Sequence, residues 1–207
     1  FRKFYNLADY LTINISSPNT ENLRNFHNED ELNELLGLIE KEKKVLKTSI
    51  PITVKISPDI QDENINIISD LLLKHSVEAV IISNTTDKNR ENLSNINKLE
   101  KGGLSGKPLE KRSNELINKF YKILQNKIKI IGVGGVDSGQ SAYEKIINGA
   151  CLVQLYTGMI YQGPGIVSKI SQELINILDK EGVKNISDAV GSKNWSWLVT
   201  LEHLYNH

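Results

Sequence analysis

The chain has 207 residues, 39% of them hydrophobic and 24% charged, with 25 Lys and Arg balanced by 25 Asp and Glu. That length supports one domain with a real core, and the zero net charge lacks the basic excess that marks a nucleic-acid binder. A single cysteine, Cys151, rules out an internal disulfide and fits a reducing compartment, and no apolar run reaches the roughly 20 residues of a membrane span.

Tyr10–Ser16 (YLTINIS) reads as a strand. Glu29–Leu46 follows as a helix, because Leu32, Leu35, Leu36 and Ile39 fall at i, i+3, i+4 and i+7. Ile52–Ser57 is strand-like, and Gln61–His75 places Ile65, Ile68, Leu71 and Leu72 on one helical face. Ala79–Ser83 is a third strand. A polar, glycine-containing loop runs from about Asn84 to Pro108. Leu109–Gln125 is helical through Leu116, Ile117, Phe120 and Leu124, and Ile128–Val133 is a fourth strand. Ser138–Asn148 is a helix with Gly149 as its C-terminal cap. Cys151–Tyr156 is a fifth strand, opened by Cys151 as a small core residue, and Ile166–Leu178 is the last helix. The many lysines alternate with Glu and Asn along the helices and read as solvated faces. The tail after Gly191 is aromatic and apolar, with no evident role.

Five strand–helix units in series specify an α/β fold with a parallel sheet. A doubly wound open sheet and a (β/α)8 TIM barrel compete. Polar groups gather at the C-terminal end of every strand: Ser16 to Thr20, Ser57 to Asp59, Asn84 to Thr86, Gly134-Gly135, and Tyr156 to Gly158. Barrel enzymes build their sites on that face, whereas open sheets bind chiefly at one switch point. The expectation is therefore the last five or so units of a barrel, with residues 1–191 as one domain and 192–207 as a tail. The chain starts at Phe1, so three upstream units and any targeting segment are expected to precede it.

Several residues invite chemistry. If the last two strands are barrel strands seven and eight, Gly134-Gly135 and Thr157-Gly158 fall where barrels bind phosphate, and glycine lets backbone N–H groups come close. Two ordinary turns would look the same. Gly132 to Asp137 begins like a dinucleotide fingerprint, but Asp137 stands at the third glycine position. Lys55 sits inside an apolar strand, on one face with Thr53 and Ser57. It needs a counter-charge if it points inward, such as an anionic ligand, and none if it reaches solvent at an edge. Asn14, Ser17 and Asn19 cluster after the first strand, as Asn84 and Thr85 do after the third. Their amides and hydroxyls suit a ligand with amide and carboxylate edges, though all are also common turn residues. His27, His75, His203 and His207 read as surface residues, so no metal cluster or His-based hydrolysis is indicated.

Six ordered segments, Asn14 to Thr20, Val54 to Asp59, Ser83 to Thr86, Gly102 to Leu109, Ile131 to Val136 and Leu152 to Gly158, resemble the dihydroorotate dehydrogenase family. The resemblance runs from about Tyr10 to Gly191. It implies an FMN-bearing barrel that oxidises dihydroorotate to orotate in pyrimidine synthesis. Ser17 matches the family's catalytic base. The cytosolic class resembles this loop but has cysteine there, so serine points to the quinone-linked, membrane-associated class of bacterial or mitochondrial inner membranes. Asn14, Asn19, Asn84 and Thr85 match orotate-binding positions. Asn14 also matches a flavin neighbour, Lys55 and Ser83 match contacts to the FMN ring, and Gly106, Gly135, Tyr156 and Thr157 match the ribityl-phosphate site.

The resemblance also implies partners: dihydroorotate or orotate, a quinone, and a membrane surface reached through an N-terminal segment absent from this sequence. The alternatives are a cytosolic-class or related FMN-barrel reductase, or a non-catalytic remnant. An open barrel exposes strand edges, so this chain by itself is expected to be inactive and poorly soluble.

Overall fold

The computed structural model describes residues 1–194 except Asn89 and Asn92; the tail from 195 onward, with His203 and His207, lies outside the described residues. Five strands, β1 (Leu11–Asn14), β2 (Ile52–Ile56), β3 (Ala79–Ile82), β4 (Lys129–Val133) and β5 (Leu152–Gln154), form one sheet in chain order. Every pairing is parallel, with Asn14 beside Lys55, Lys55 beside Ile81, Ile81 beside Ile131 and Ile131 beside Leu152.

Helices α1 (Glu29–Val45), α2 (Glu63–Lys74), α3 (Glu110–Leu124) and α4 (Gly139–Asn148) make the crossovers, followed by α5 (Thr157–Gln162), α6 (Ile166–Glu181) and α7 (Ile186–Ala189). The helices follow the apolar stripes of the sequence. Ile65, Ile68, Leu71 and Leu72 of α2 and Leu116, Ile117, Phe120 and Leu124 of α3 are all buried. Each such side chain contributes roughly 1.5–3 kcal/mol on burial. Serine fixes the start of α4: the Ser138 hydroxyl accepts from Ser141 N, and the Ser141 hydroxyl accepts from Ser138 N at 3.0 Å. Gly149 closes that helix at φ 127°.

Strand alternation sorts the sheet into two faces. Val54, Ile56, Val80, Ile82 and Ile130 pack with α1, α2 and α3 in the main core, and Val153 continues this face against α4 and α6. The other face carries Thr53, Lys55, Ala79, Ile81 and Ile131. Among the described residues the packed helices therefore lie on one side only. A doubly wound sheet would have them on both, so that alternative is excluded.

Several expectations need correction. The short helices α5 and α7 have too few turns to leave an apolar period, and the sequence reading missed both. Cys151 is exposed, with Sγ 3.4 Å from the Ile130 carbonyl oxygen, because β5 is the last strand in the order and neighbouring Leu152 is itself 61% exposed. His75 is not a free surface residue: its Nε2 lies 3.0 Å from Asn33 Oδ1 and its Nδ1 3.3 Å from Glu40.

Candidate active site

The C-terminal strand ends enclose a cavity of about 1160 Å³. Eight of the residues singled out from the sequence line it: Lys55, Ser83, Asn84, Thr85, Gly106, Gly135, Tyr156 and Thr157. They come from four different strand-end loops or strands and meet because the parallel sheet delivers every strand end to one rim.

Lys55 projects from β2 into this space. Among the described residues its ammonium has neither a hydrogen-bond nor an ion-pair partner. Burial holds its pKa below the ordinary lysine value. A half-buried cation without a counter-charge favours an anionic or electron-rich ligand in the cavity.

Next to it, amides and a hydroxyl knit β1 to β3. Asn14 Oδ1 accepts from the Ser16 hydroxyl at 2.8 Å and from Asn84 Nδ2 at 3.3 Å, and Asn84 Nδ2 also donates to Ser16 Oγ at 2.9 Å. Asn84 Oδ1 in turn accepts from Thr85 N at 2.8 Å. Ser16, fully buried, is a site residue that sequence reasoning passed over; its signal was its place in the same polar cluster. Asn14 is thus tied to the cavity wall through Asn84. Ser17 and Asn19 stand apart from the wall, on the loop beyond β1, where the Ser17 hydroxyl accepts from Asn19 N at 3.2 Å.

Gly135, also on the cavity wall, has φ 79°, a conformation that glycine adopts without strain, and a Cβ there would meet Glu110 Cβ at 2.5 Å. Among the described residues its N–H has no protein acceptor and remains available for an anion. Gly106 approaches Thr157 so closely that a Cβ would lie 2.9 Å from Thr157 Cγ2, and the Thr157 hydroxyl reaches Ser105 Oγ at 2.9 Å. Tyr156 also lines the cavity and is 77% exposed. The Lys55 ammonium and the Gly135 backbone N–H thus line one cavity and together suit an anionic ligand.

His27 and Arg24, behind the Ser17 loop, were not anticipated as site-supporting residues. His27 is 7% exposed, which corrects the surface assignment. Its Nε2 accepts from Ser57 N at 3.3 Å, so Nδ1 carries the proton and donates to the Arg24 carbonyl at 2.9 Å. Arg24 pairs with both Asp59 and Asp87 at 3.0 Å, and the Thr86 hydroxyl donates to Asp59 at 2.5 Å. Burial lowers the pKa of His27 from 6.5, the Arg24 charge lowers it further, and the bond to the Arg24 carbonyl partly opposes both.

A folded-state pKa below the unfolded value means that the unfolded chain binds the extra proton first. Stability is therefore complete above pH 6.5 and falls as pH drops through 6.5 toward the depressed folded value. One proton sets a limit of about 1.4 kcal/mol per pH unit. Melting scans of the intact protein and of His27→Gln between about pH 7.5 and about pH 5 check this. The native protein is expected to lose more stability across that range than the variant, and equal losses would refute the assignment.

Among the described residues, no group of three or more His, Cys, Asp or Glu could hold a metal ion, and no helix is long and apolar enough to cross a membrane.

The model of the family described as dihydroorotate dehydrogenase matches residues 1–178. A relative from Trichodesmium erythraeum named dihydroorotate dehydrogenase (quinone) is 44% identical over 204 residues, covering 94% of this chain and 52% of its own length. A mouse relative named dihydroorotate dehydrogenase (quinone), mitochondrial, is 42% identical over 187 residues, covering 89% and 47%. A crystal structure of the Eimeria tenella enzyme in complex with ferulenol superposes with a TM-score of 0.87 at 36% identity, covering 90% of this chain and 54% of that one. The chain spans about half the length of the curated relatives it matches.

Proposed function

This chain belongs to the dihydroorotate dehydrogenase family, and from that premise we propose that the intact protein oxidises (S)-dihydroorotate to orotate in pyrimidine synthesis, using FMN and a quinone. Residues 1–191 form the part of its barrel that carries the ligand-facing strand ends. The observation that carries the reading is the Lys55 ammonium, unpartnered among the described residues, in the same cavity as the Gly135 backbone and Asn84, which is hydrogen-bonded to Asn14 and Ser16.

FMN, when bound, supplies a two-electron hydride acceptor. Lys55 and Ser83 would hold its ring, while Gly106, Gly135, Tyr156 and Thr157 would hold the ribityl phosphate. Asn14, Asn19, Asn84 and Thr85 bind the substrate's amide and carboxylate edges. The existing bonds between Asn14, Ser16 and Asn84 fix those amides before any ligand arrives, so little ordering remains on binding.

Ser17 Oγ takes the ring proton as hydride leaves the substrate and passes its own hydroxyl proton on to water, so it ends the step as a neutral hydroxyl. Its position outside the cavity wall, on a loop anchored by Arg24 and His27, lets it approach from the open side. Serine at this position favours the quinone-linked class. The acceptor class points to a membrane-associated enzyme of a bacterial or mitochondrial inner membrane.

Anaerobic addition of dihydroorotate to the flavin-loaded intact protein, followed by a quinone, tests the reading. Bleaching of the flavin and rapid reoxidation by the quinone is the expected result. Reoxidation only by fumarate or a nicotinamide would reject the class, and a flavin that does not bleach would reject the substrate.

A further inference from the structure

One charged side chain in the helical layer has no place in the chemistry just described. Lys145 of α4 has no exposed surface and carries one of the largest fully buried side chains in the chain. A buried lysine without a structural reason is costly. Here the nitrogen donates to Ser113 Oγ at 3.1 Å and to Asn114 Oδ1 at 3.0 Å, both on α3, and no carboxylate pairs with it among the described residues. The stem reaches that point by passing behind β4 at Gly132, where a Cβ would lie 2.9 Å from Lys145 Cδ.

The Ser113 hydroxyl then points at the sheet. It donates to the Val133 carbonyl at 2.6 Å and lies 3.3 Å from the Ile82 carbonyl. The same Val133 carbonyl accepts from Ser83 N at 3.1 Å. Val133 is the last residue of β4 and leads directly into Gly134-Gly135, while Ile82 ends β3 and Ser83 follows it into Asn84. An ammonium has three donors and no acceptor. Its bond to Ser113 therefore leaves the serine hydrogen free for the carbonyl, and a buried donor fixes the direction of the whole relay.

We propose that Lys145 is a positioning residue that, through Ser113, clamps the Val133 carbonyl and so sets the strand-end peptides presenting Ser83 and Gly135 to the flavin. The inference rests on the FMN reading of the cavity. The charged groups whose fields reach Lys145 are Glu110 on α3, which favours the ammonium, and Lys107 just before it, which opposes it. With burial dominant, the pKa falls to about 8.

The test uses the intact protein with FMN titrated by fluorescence quenching. Lys145→Met keeps most of the stem and removes the donor, whereas Ser113→Ala removes the relay and leaves Lys145 bonded to Asn114. Each is expected to weaken FMN binding at least tenfold at neutral pH, and the double variant to be no weaker than the worse single, because both break one path. In the native protein, FMN affinity is expected to fall as pH rises through about 8, and in Lys145→Met to lose that step. A merely structural lysine would lower the melting temperature without moving the pH profile. Should Lys145→Met not fold, Ser113→Ala and the native pH profile carry the test. Native-like FMN affinity in Ser113→Ala, or a pH step that survives in Lys145→Met, overturns the inference while leaving the function standing. A native intact protein that binds no FMN overturns both.

Discussion

Replacing Ser17 by Ala in the intact protein is expected to leave FMN bound and to slow its reduction by dihydroorotate by roughly 10²–10⁴-fold, the range for loss of a positioned general base. The residues proposed to hold FMN line the cavity, and Ser17 does not, so cofactor affinity should be unaffected. The hydroxyl accepts one local bond from Asn19 N and is otherwise exposed enough to meet a substrate. Serine is a weak base at its ordinary pKa, so the rate should rise with pH until the proton can leave through neighbouring groups or water. Stopped-flow absorbance under anaerobic conditions reads the step directly. Reduction at the native rate would remove Ser17 from the mechanism.

Lys55→Met should produce the second large effect. The variant keeps most of the side chain and deletes a positive charge that no carboxylate neutralises among the described residues. A cation with an uncompensated field acts most strongly on a ligand that gains negative charge. The flavin midpoint potential is therefore expected to fall by about 30–60 mV, one to two powers of ten in a two-electron equilibrium. Reduction by dihydroorotate should slow in step with it. Spectroelectrochemical titration of native and variant proteins measures the shift, and an unchanged potential would mean that the Lys55 ammonium does not face the flavin.

Much of this site could be read from the sequence because two simple periods coincide. Apolar alternation put Lys55 on one face of β2 with Thr53, and the structure turns that face away from the helices. Polar residues after each strand marked the rim. Which face the helices would choose was not legible, since alternation gives two faces without saying which is covered; the buried clusters decided that. Lys145 was missed for a different reason. It lies three residues after Ala142 and four after Ser141, on the buried stripe of α4, yet lysines elsewhere in the chain ride on solvated faces. Only its spacing relative to Ala142 and Ile146 could have exposed it. Cys151 and His27 failed in opposite directions, because burial at a sheet edge or behind a loop depends on neighbours distant in sequence.

Arg24 joins the segment after β1 to Asp59 after β2 and Asp87 after β3, while Thr86 holds the other oxygen of Asp59. These three segments therefore behave as one cassette. Exchanging the first alone would strand Asp59, whose side chain is only 8% exposed, without its cation, at a cost larger than any single new contact returns. Divergence at this mouth has to proceed by coordinated replacement of all three, which sets the smallest unit by which substrate preference here can be re-engineered.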